Sequence, residues 1–384
     1  MAKAIVSFAT RPGRGSEGGV GWAFASQAAE WAFAHGEELL VVIDERDLGD
    51  VLQALEVMGP AGRNVRLVPV SVPTRLLQKY GDSRSRQTYL GWSLRARRQV
   101  AKFVADGVVD LVHQVTFATT SLPHVLPVNK GARTVWGPVM VPSNPVYAQD
   151  SGPTPLESAG VWGLRHIGRL HARNVDTVIA TNEFTQNWLS SDKTILEPNI
   201  VVDVTDLHGV VQEDDLLTTS GLLIDRKRPW LAVQAMLDPG LAEYRLNLIG
   251  DGPLRPALER LVQDENLGSR VKFLGRLKHQ DALRSVAAAR VLLHPAVREG
   301  ASWVVGEAAA LGVPAVAFRG TGADSTIVLS RNGGRVVDPQ TDSLSGSLAE
   351  GVADVMSRSR PAPTDRWSKN RIPGLFDTWW SEHE

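Results

Sequence analysis

The sequence predicts an α/β protein made of two consecutive doubly wound parallel sheets. Short apolar runs bounded by Gly, Pro and Asp alternate with longer amphipathic stretches along the whole chain. The runs carry little polar alternation, as expected of strands covered by helices on both faces. They fall into two sets of about six, too many for one ordinary open sheet. A length of 384 residues suits two domains at ~100–200 residues each. A hydrophobic content of 43% is enough for two cores.

In the first half the strand-like runs are Ala4–Ala9, Leu39–Ile43, Val65–Val70, Leu111–Phe117, Thr134–Val139 and Val175–Ala180. Between the first two, Gly21–His35 places Ala, Phe and Trp at helical spacing. Residues 136–163 contain Pro138, Pro142, Pro145, Pro153 and Pro155, a density that reads as a long surface loop. In the second half the runs are Leu216–Ile224, Arg245–Ile249, Val271–Leu274, Val291–His294, Ala315–Phe318 and Arg335–Val337. Helices are expected between and after them at Pro229–Leu237, Leu254–Asn266, Gln280–Ala289, Trp303–Leu311 and Leu344–Met356. The join is placed near Glu197–Gln212, where Pro198-Asn199 interrupts the pattern. The expected divisions are a first domain over 1–198, a second over 199–366, and a tail helix over 367–384.

Composition narrows the function. A net charge of −1 provides no global field toward nucleic acid or anionic lipid. The absence of cysteine excludes disulfides, thiolate metal sites and cysteine nucleophiles. The start, MAKAIVSFAT, is too short an apolar run for a signal sequence, and nowhere do ~18 apolar residues run together. The expectation is a cytoplasmic protein. No Asp-x-Asp and no cluster with metal-ligand spacing is present, so no metal and no cofactor are expected.

The chemistry concentrates in the stretch from Arg298 to Val316. Glu299 follows a buried strand, and Glu307 falls in the next helix after seven intervening residues. Strand, glycine-containing turn and helix start together form an anion site, because backbone N–H groups and the positive end of the helix dipole face it. Eight residues at ~1.5 Å rise would separate the carboxylates by ~12 Å if helical throughout, a span that brackets a diphosphate. Gly250 and Gly252 fit a tight turn and a phosphate-facing loop equally well.

The Glu-x7-Glu element, followed by Ala-x-x-Gly-x-Pro, resembles the family-4 retaining glycosyltransferases of the GT-B fold. Gly221-Leu-Leu-Ile-Asp-Arg-Lys227, Leu248-Ile-Gly-Asp-Gly-Pro253, Val271-Lys-Phe-Leu-Gly-Arg-Leu277, Arg319-Gly-Thr-Gly322 and Asn332-Gly-Gly334 resemble further elements of that family. In the first half, the glycine-rich segment from Pro12 to Trp22 resembles its first loop. His113-Gln-Val-Thr-Phe117 and Trp136-Gly-Pro138 resemble a bacterial cell-surface-glycan branch. The match is strongest over residues 216–340.

The resemblance implies two Rossmann-like domains facing a cleft. It also implies metal-independent, retaining transfer of a hexose-type sugar from a UDP- or GDP-sugar to a glycan, glycolipid or small-molecule acceptor. Glu299, Lys227 and His113 are then the catalytic candidates. Glu307 would hold the ribose hydroxyls. Arg226, Gly18, Gly19, Gly250, Gly252, Arg276, Ala301, Ser302 and Trp303 complete the donor site. Glu17 is a candidate acceptor contact.

Two positions depart from the family: Leu222 replaces an arginine, and Val115 replaces a histidine found in many relatives. The alternative they favour is a catalytically weak or inactive homologue serving as a partner protein. An epimerase or phosphorylase on the same fold is a further one. Residues 84–103 include a basic helix candidate, read either as a solvated face or as a peripheral contact at the inner membrane face. Without aromatic interleaving, this segment does not fit a nucleic-acid groove. Trp379-Trp380 resembles a tail helix returning to the first domain, with core packing as its role.

Overall fold

The computed structural model describes residues 1–13, 16–127, 131–141, 163, 166–204, 207, 210–297 and 299–380. The proline-rich stretch beyond 141, Arg14, Gly15 and Arg298 lie outside the described residues. Chain contacts divide the protein into two units. Among the described residues, the first takes those within Met1–Pro142 and Pro153–Val201 together with the tail from Lys369, and the second takes those within Val202–Ser368.

The first unit is built on β1 (Ala2–Ser7), β2 (Leu39–Asp44), β3 (Val65–Val70), β4 (Val109–Gln114), β5 (Arg133–Val139), β6 (Thr177–Ala180) and β7 (Thr194–Leu196). Their spatial order is β3-β2-β1-β4-β5-β6-β7, with every neighbouring pair parallel. β7 is a strand the pattern did not announce, since three residues are too few for an apolar run to stand out. The second unit carries β8 (Leu216–Ser220), β9 (Arg245–Ile249), β10 (Val271–Gly275), β11 (Val291–His294), β12 (Ala315–Phe318) and β13 (Arg335–Val337). Their order is β10-β9-β8-β11-β12-β13, again parallel throughout. Both sheets therefore reverse direction beside their first strand, the arrangement that opens a ligand crevice at the carboxyl ends of the strands.

Several boundaries differ from expectation. The first helix begins at Ser16, five residues before the expected Gly21, so Gly18 and Gly19 lie in its opening turns. Intrinsic glycine propensity disfavours helix there, and tertiary packing overrides it. A Cβ on Gly18 would stand 3.0 Å from the Arg11 side chain. The basic segment belongs to a longer helix, Arg86–Ala105, started by a capping box in which Ser85 and Thr88 satisfy each other's backbone amides. The run expected to end at Ile224 stops at Ser220, because Gly221 has φ +150° and turns the chain out of the sheet. Helices at Leu48–Val57, Glu183–Leu189 and Ala323–Ser330 complete crossovers that periodicity alone did not mark.

Each unit has its own core. In the first, Phe8, Tyr89, Trp92 and Trp136 are buried with the apolar faces of β1, β2 and β4. In the second, Leu217, Leu246, Leu248, Val291 and Leu293 carry the helices Pro229–Ala235 and Leu344–Met356 on one face. The tail helix Ile372–Trp380 packs on the first unit: Trp379 stacks on Phe24 at 6.0 Å between ring centroids, and Trp31 Nε1 donates to Asp377 at 2.6 Å. Arg371 pairs with Glu197 at its entry.

Candidate active site

Glu299 lies in the loop after β11, its backbone N–H donating to the Thr321 carbonyl at 3.0 Å. The close approach of these two loops requires Gly322. With φ +84°, it places an imagined Cβ 2.3 Å from the Glu299 carbonyl oxygen. A second backbone bond, from Val297 N–H to the Arg226 carbonyl at 3.0 Å, joins this loop to the turn Asp225–Lys227 after β8. That bond brings residues seventy positions apart into one cluster. Lys227 Nζ sits 2.6 Å and Arg226 NH1 2.9 Å from Glu299 Oε1. The aliphatic stem of Lys227 runs over Gly221, 3.7 Å from where a Cβ would stand.

The electrostatics follow from burial. The Glu299 side chain is 10% exposed, and that desolvation pushes its carboxyl up. The Lys227 and Arg226 cations outweigh the push and hold it below the ordinary carboxylate range. His294, at the end of β11, is pulled down to about 3 by burial and by Lys227, so it is neutral at physiological pH. Its Nε2 shares a hydrogen bond of 3.1 Å with Ser302 Oγ. Ser302 is the N-cap of the helix Trp303–Ala310, but its hydroxyl is turned to His294 and caps no helix amide. The cluster thus holds two cations, one carboxylate and a helix start without a side-chain cap, which suits an anion.

Glu307 occupies the second turn of that helix, with His279 Nε2 at 3.7 Å from its carboxylate. Burial raises its pKa, and His279 opposes the rise. The ~12 Å spacing expected for Glu299 and Glu307 assumed continuous helix; the helix starts only at Trp303, so Glu299 approaches from a loop. Ala301, Ser302 and Trp303 form the turn into the helix. Arg276 is exposed just past β10.

Gly250 and Gly252 have a structural task. A Cβ on Gly250, at φ +127°, would lie 1.9 Å from the Gly221 carbonyl oxygen, and one on Gly252 would lie 2.6 Å from the Leu223 carbonyl oxygen. The close approach here is between two loops of the protein itself.

In the first unit His113 is corrected from catalyst to core residue. It is 0% exposed. Its Nδ1 accepts from Trp380 Nε1 at 3.2 Å. Its Nε2 must then carry the proton and donate to the Gly137 carbonyl at 2.8 Å. Burial pulls it down to about 4, so the ring is neutral with both nitrogens engaged. Val115 is likewise buried, at 2% exposure. Glu17 Oε1 accepts from the Phe117 N–H at 2.6 Å, and burial raises its carboxyl. Gly18 and Gly19 serve the first helix instead of an open glycine loop.

Sequence reasoning missed His294, His279 and the Gly221–Lys227 contact. His294 was legible only as a strand end, and its pairing with Ser302 depends on how the chain turns between them.

Residues 213–358 match the family model described as Glycosyl transferases group 1. The matched segment lies within the second unit. A GDP-mannose-dependent monoacylated alpha-(1-6)-phosphatidylinositol monomannoside mannosyltransferase of Corynebacterium glutamicum is 32% identical over 161 residues, 39% of this chain and 41% of that protein. A phosphatidylinositol N-acetylglucosaminyltransferase component of Homo sapiens is 30% identical over 136 residues, 35% of this chain and 27% of that protein. The chain spans less than half the length of these relatives.

Solved structures extend the fold match to nearly the whole chain. Sucrose-phosphate synthase from Thermosynechococcus elongatus superimposes with a TM-score of 0.65 at 18% identity, covering 99% of this chain and 98% of its own. WaaG, a glycosyltransferase involved in lipopolysaccharide biosynthesis, gives 0.55 at 16% identity, covering 98% and 95%. Anabaena HepE in complex with UDP gives 0.56 at 14% identity, covering 98% and 99%. Among the described residues no helix is long and apolar enough to cross a membrane.

Proposed function

We propose that the protein is a retaining, metal-independent glycosyltransferase that moves a hexose-type sugar from a UDP- or GDP-sugar to a glycan, glycolipid or small-molecule acceptor. The observation that carries this reading is the convergence of Lys227 and Arg226 on Glu299 beside the start of the helix Trp303–Ala310. In this reading the diphosphate binds the two cations and the turn Ala301–Trp303. Lys227 neutralises the leaving group as the bond from anomeric carbon to phosphate oxygen breaks. Glu299 stabilises positive charge on the sugar. The acceptor oxygen bonds to the same face, and its proton passes to the departing phosphate. Glu307 accepts hydrogen bonds from the ribose. The UDP complex of HepE and the GDP-mannose dependence of the corynebacterial relative support a nucleoside-diphosphate donor. The phosphatidylinositol glycosides named for the curated relatives support a glycolipid acceptor. The basic helix Arg86–Ala105, with Leu90 and Leu94 exposed, supports peripheral contact with anionic lipid where such an acceptor resides.

Leu222, 48% exposed where the family has an arginine, favours the second reading of a weak or inactive partner protein. A thermal-shift panel of UDP- and GDP-sugars, followed by donor hydrolysis, separates the two. The transferase reading expects a shift with one donor, loss of that shift in Glu307→Ala, and hydrolysis abolished in Glu299→Gln. Binding without turnover on any donor selects the partner reading; an unchanged shift in Glu307→Ala refutes the ribose assignment.

A further inference from the structure

A second charged cluster lies in the first unit, at the carboxyl ends of β1 and β2. Asp44 and Asp47 are buried there, at 0% and 2% exposure. Arg46 forks onto Asp44, with NH2 at 2.6 Å from Oδ2 and Nε at 3.0 Å from Oδ1. Arg84 pairs with Asp47 and lies 3.5 Å from Asp44 Oδ2. Arg11 Nε donates to Asp47 Oδ1 at 3.1 Å, and the Thr10 N–H donates to Asp47 Oδ2 at 3.0 Å. The ring of Phe8 carries two of the guanidinium groups, with Arg84 Cζ 5.6 Å and Arg46 Cζ 5.9 Å from its centroid.

Three guanidinium groups share two carboxylates, which leaves the cluster with a net positive charge of one, Arg11 being its partly exposed member. Arg46 NH1 and Arg84 Nε and NH1 are buried and donate to no acceptor. A network serving only to fix the turn after β2 would be complete with two arginines. Arg11 adds a third cation, and the unused donors of Arg46 and Arg84 beside it are groups whose desolvation a bound anion would offset. Burial lowers the pKa of Arg84, with Arg46 and Arg11 reinforcing and the two aspartates opposing. Arg11, 40% exposed, is the open side of the cluster. Its position is the edge where open α/β sheets bind ligands.

We propose that Arg11, Arg46 and Arg84 form a binding site for a phosphate ester, and that this group belongs to the acceptor. Fork-shaped guanidinium donors match phosphate oxygens, and the two aspartates hold those forks in place beforehand. The acceptor part of the proposal rests on the glycosyltransferase reading, whereas the anion site does not.

The test is calorimetric titration of the full chain with sn-glycerol 1-phosphate, inorganic phosphate and glycerol, with UDP or GDP present to occupy the donor site. The ester is expected to bind more tightly than inorganic phosphate, and glycerol not at all. Arg11→Ala and Arg84→Ala are each expected to weaken the ester by at least about tenfold. Glu307→Ala should leave it unchanged while losing the nucleotide, so failure of the donor site and failure of this site are told apart. If Arg84→Ala does not fold, Arg11→Ala carries the test, since its side chain is partly exposed. Equal affinity in the wild type and the arginine variants, or no ester binding, overturns the site. Equal affinity for inorganic phosphate and the ester overturns the assignment to the acceptor.

Discussion

Replacing Lys227 by alanine tests the electrostatic core of the candidate site. At 2.6 Å the ammonium attracts Glu299 by roughly 6 kcal/mol in an effective dielectric of ~20. Arg226 lies at 2.9 Å but is 48% exposed, so its attraction is screened to about 0–1 kcal/mol. The carboxylate itself is 90% removed from solvent, and that desolvation is the largest single influence on it. With Lys227 gone, burial prevails and the Glu299 pKa moves from below its ordinary value to above it. Breaking a buried pair costs ~3–5 kcal/mol, and the remaining arginine reduces this to about 2–4 kcal/mol near neutral pH.

The pH dependence follows. In the wild type the lowered carboxyl contributes stability that is full above the ordinary carboxylate pKa and is lost as pH falls through the lowered one. In Lys227→Ala the raised carboxyl binds its proton more tightly when folded, so its contribution is lost as pH rises through the raised value. The stability difference between the proteins should therefore grow as pH rises from the acid range, below the ordinary carboxylate pKa, toward neutrality. Urea unfolding at a series of pH values measures it. A difference that stays constant over that range refutes the pairing of Lys227 with Glu299. Turnover should drop by ~10²–10³ through kcat, the size expected for one group lost from a developing oxyanion; a loss confined to KM contradicts the role given to Lys227.

Other substitutions probe the frame. Gly250→Ala drives a methyl into the Gly221 carbonyl at φ +127°, and we expect a loss of about 3 kcal/mol or an insoluble product; a melting temperature within error of the wild type argues against this loop contact. Trp380→Phe keeps the ring in place but leaves His113 Nδ1 buried without a donor, costing about 1–3 kcal/mol in urea unfolding. If that variant instead lowered kcat with stability intact, His113 would return to the list of catalytic groups.

The fold was legible because strand and helix periods are local. Twelve strands and two parallel sheets follow from runs such as Leu39–Ile43 and Val291–His294, whose side chains must be covered on both faces. The Glu-x7-Glu spacing singled out Glu299 and Glu307, the family resemblance added Lys227, and the structure sets Lys227 against Glu299. Chain pattern did not reveal which glycines face a ligand. Gly250 and Gly252 read equally as phosphate-facing or structural, and only the tertiary structure sets the Gly221 and Leu223 carbonyls against them. His113 carried a motif resemblance but sits beneath the tail helix, with Trp380 and Gly137 holding its nitrogens. Asp44, Asp47, Arg11 and Arg46 gave no signal, and Arg84 only as part of a basic run, because their attraction depends on distance in space and they come from three separate segments. Local periodicity is encoded residue by residue, whereas burial, and with it protonation and charge pairing, exists only after distant segments have packed.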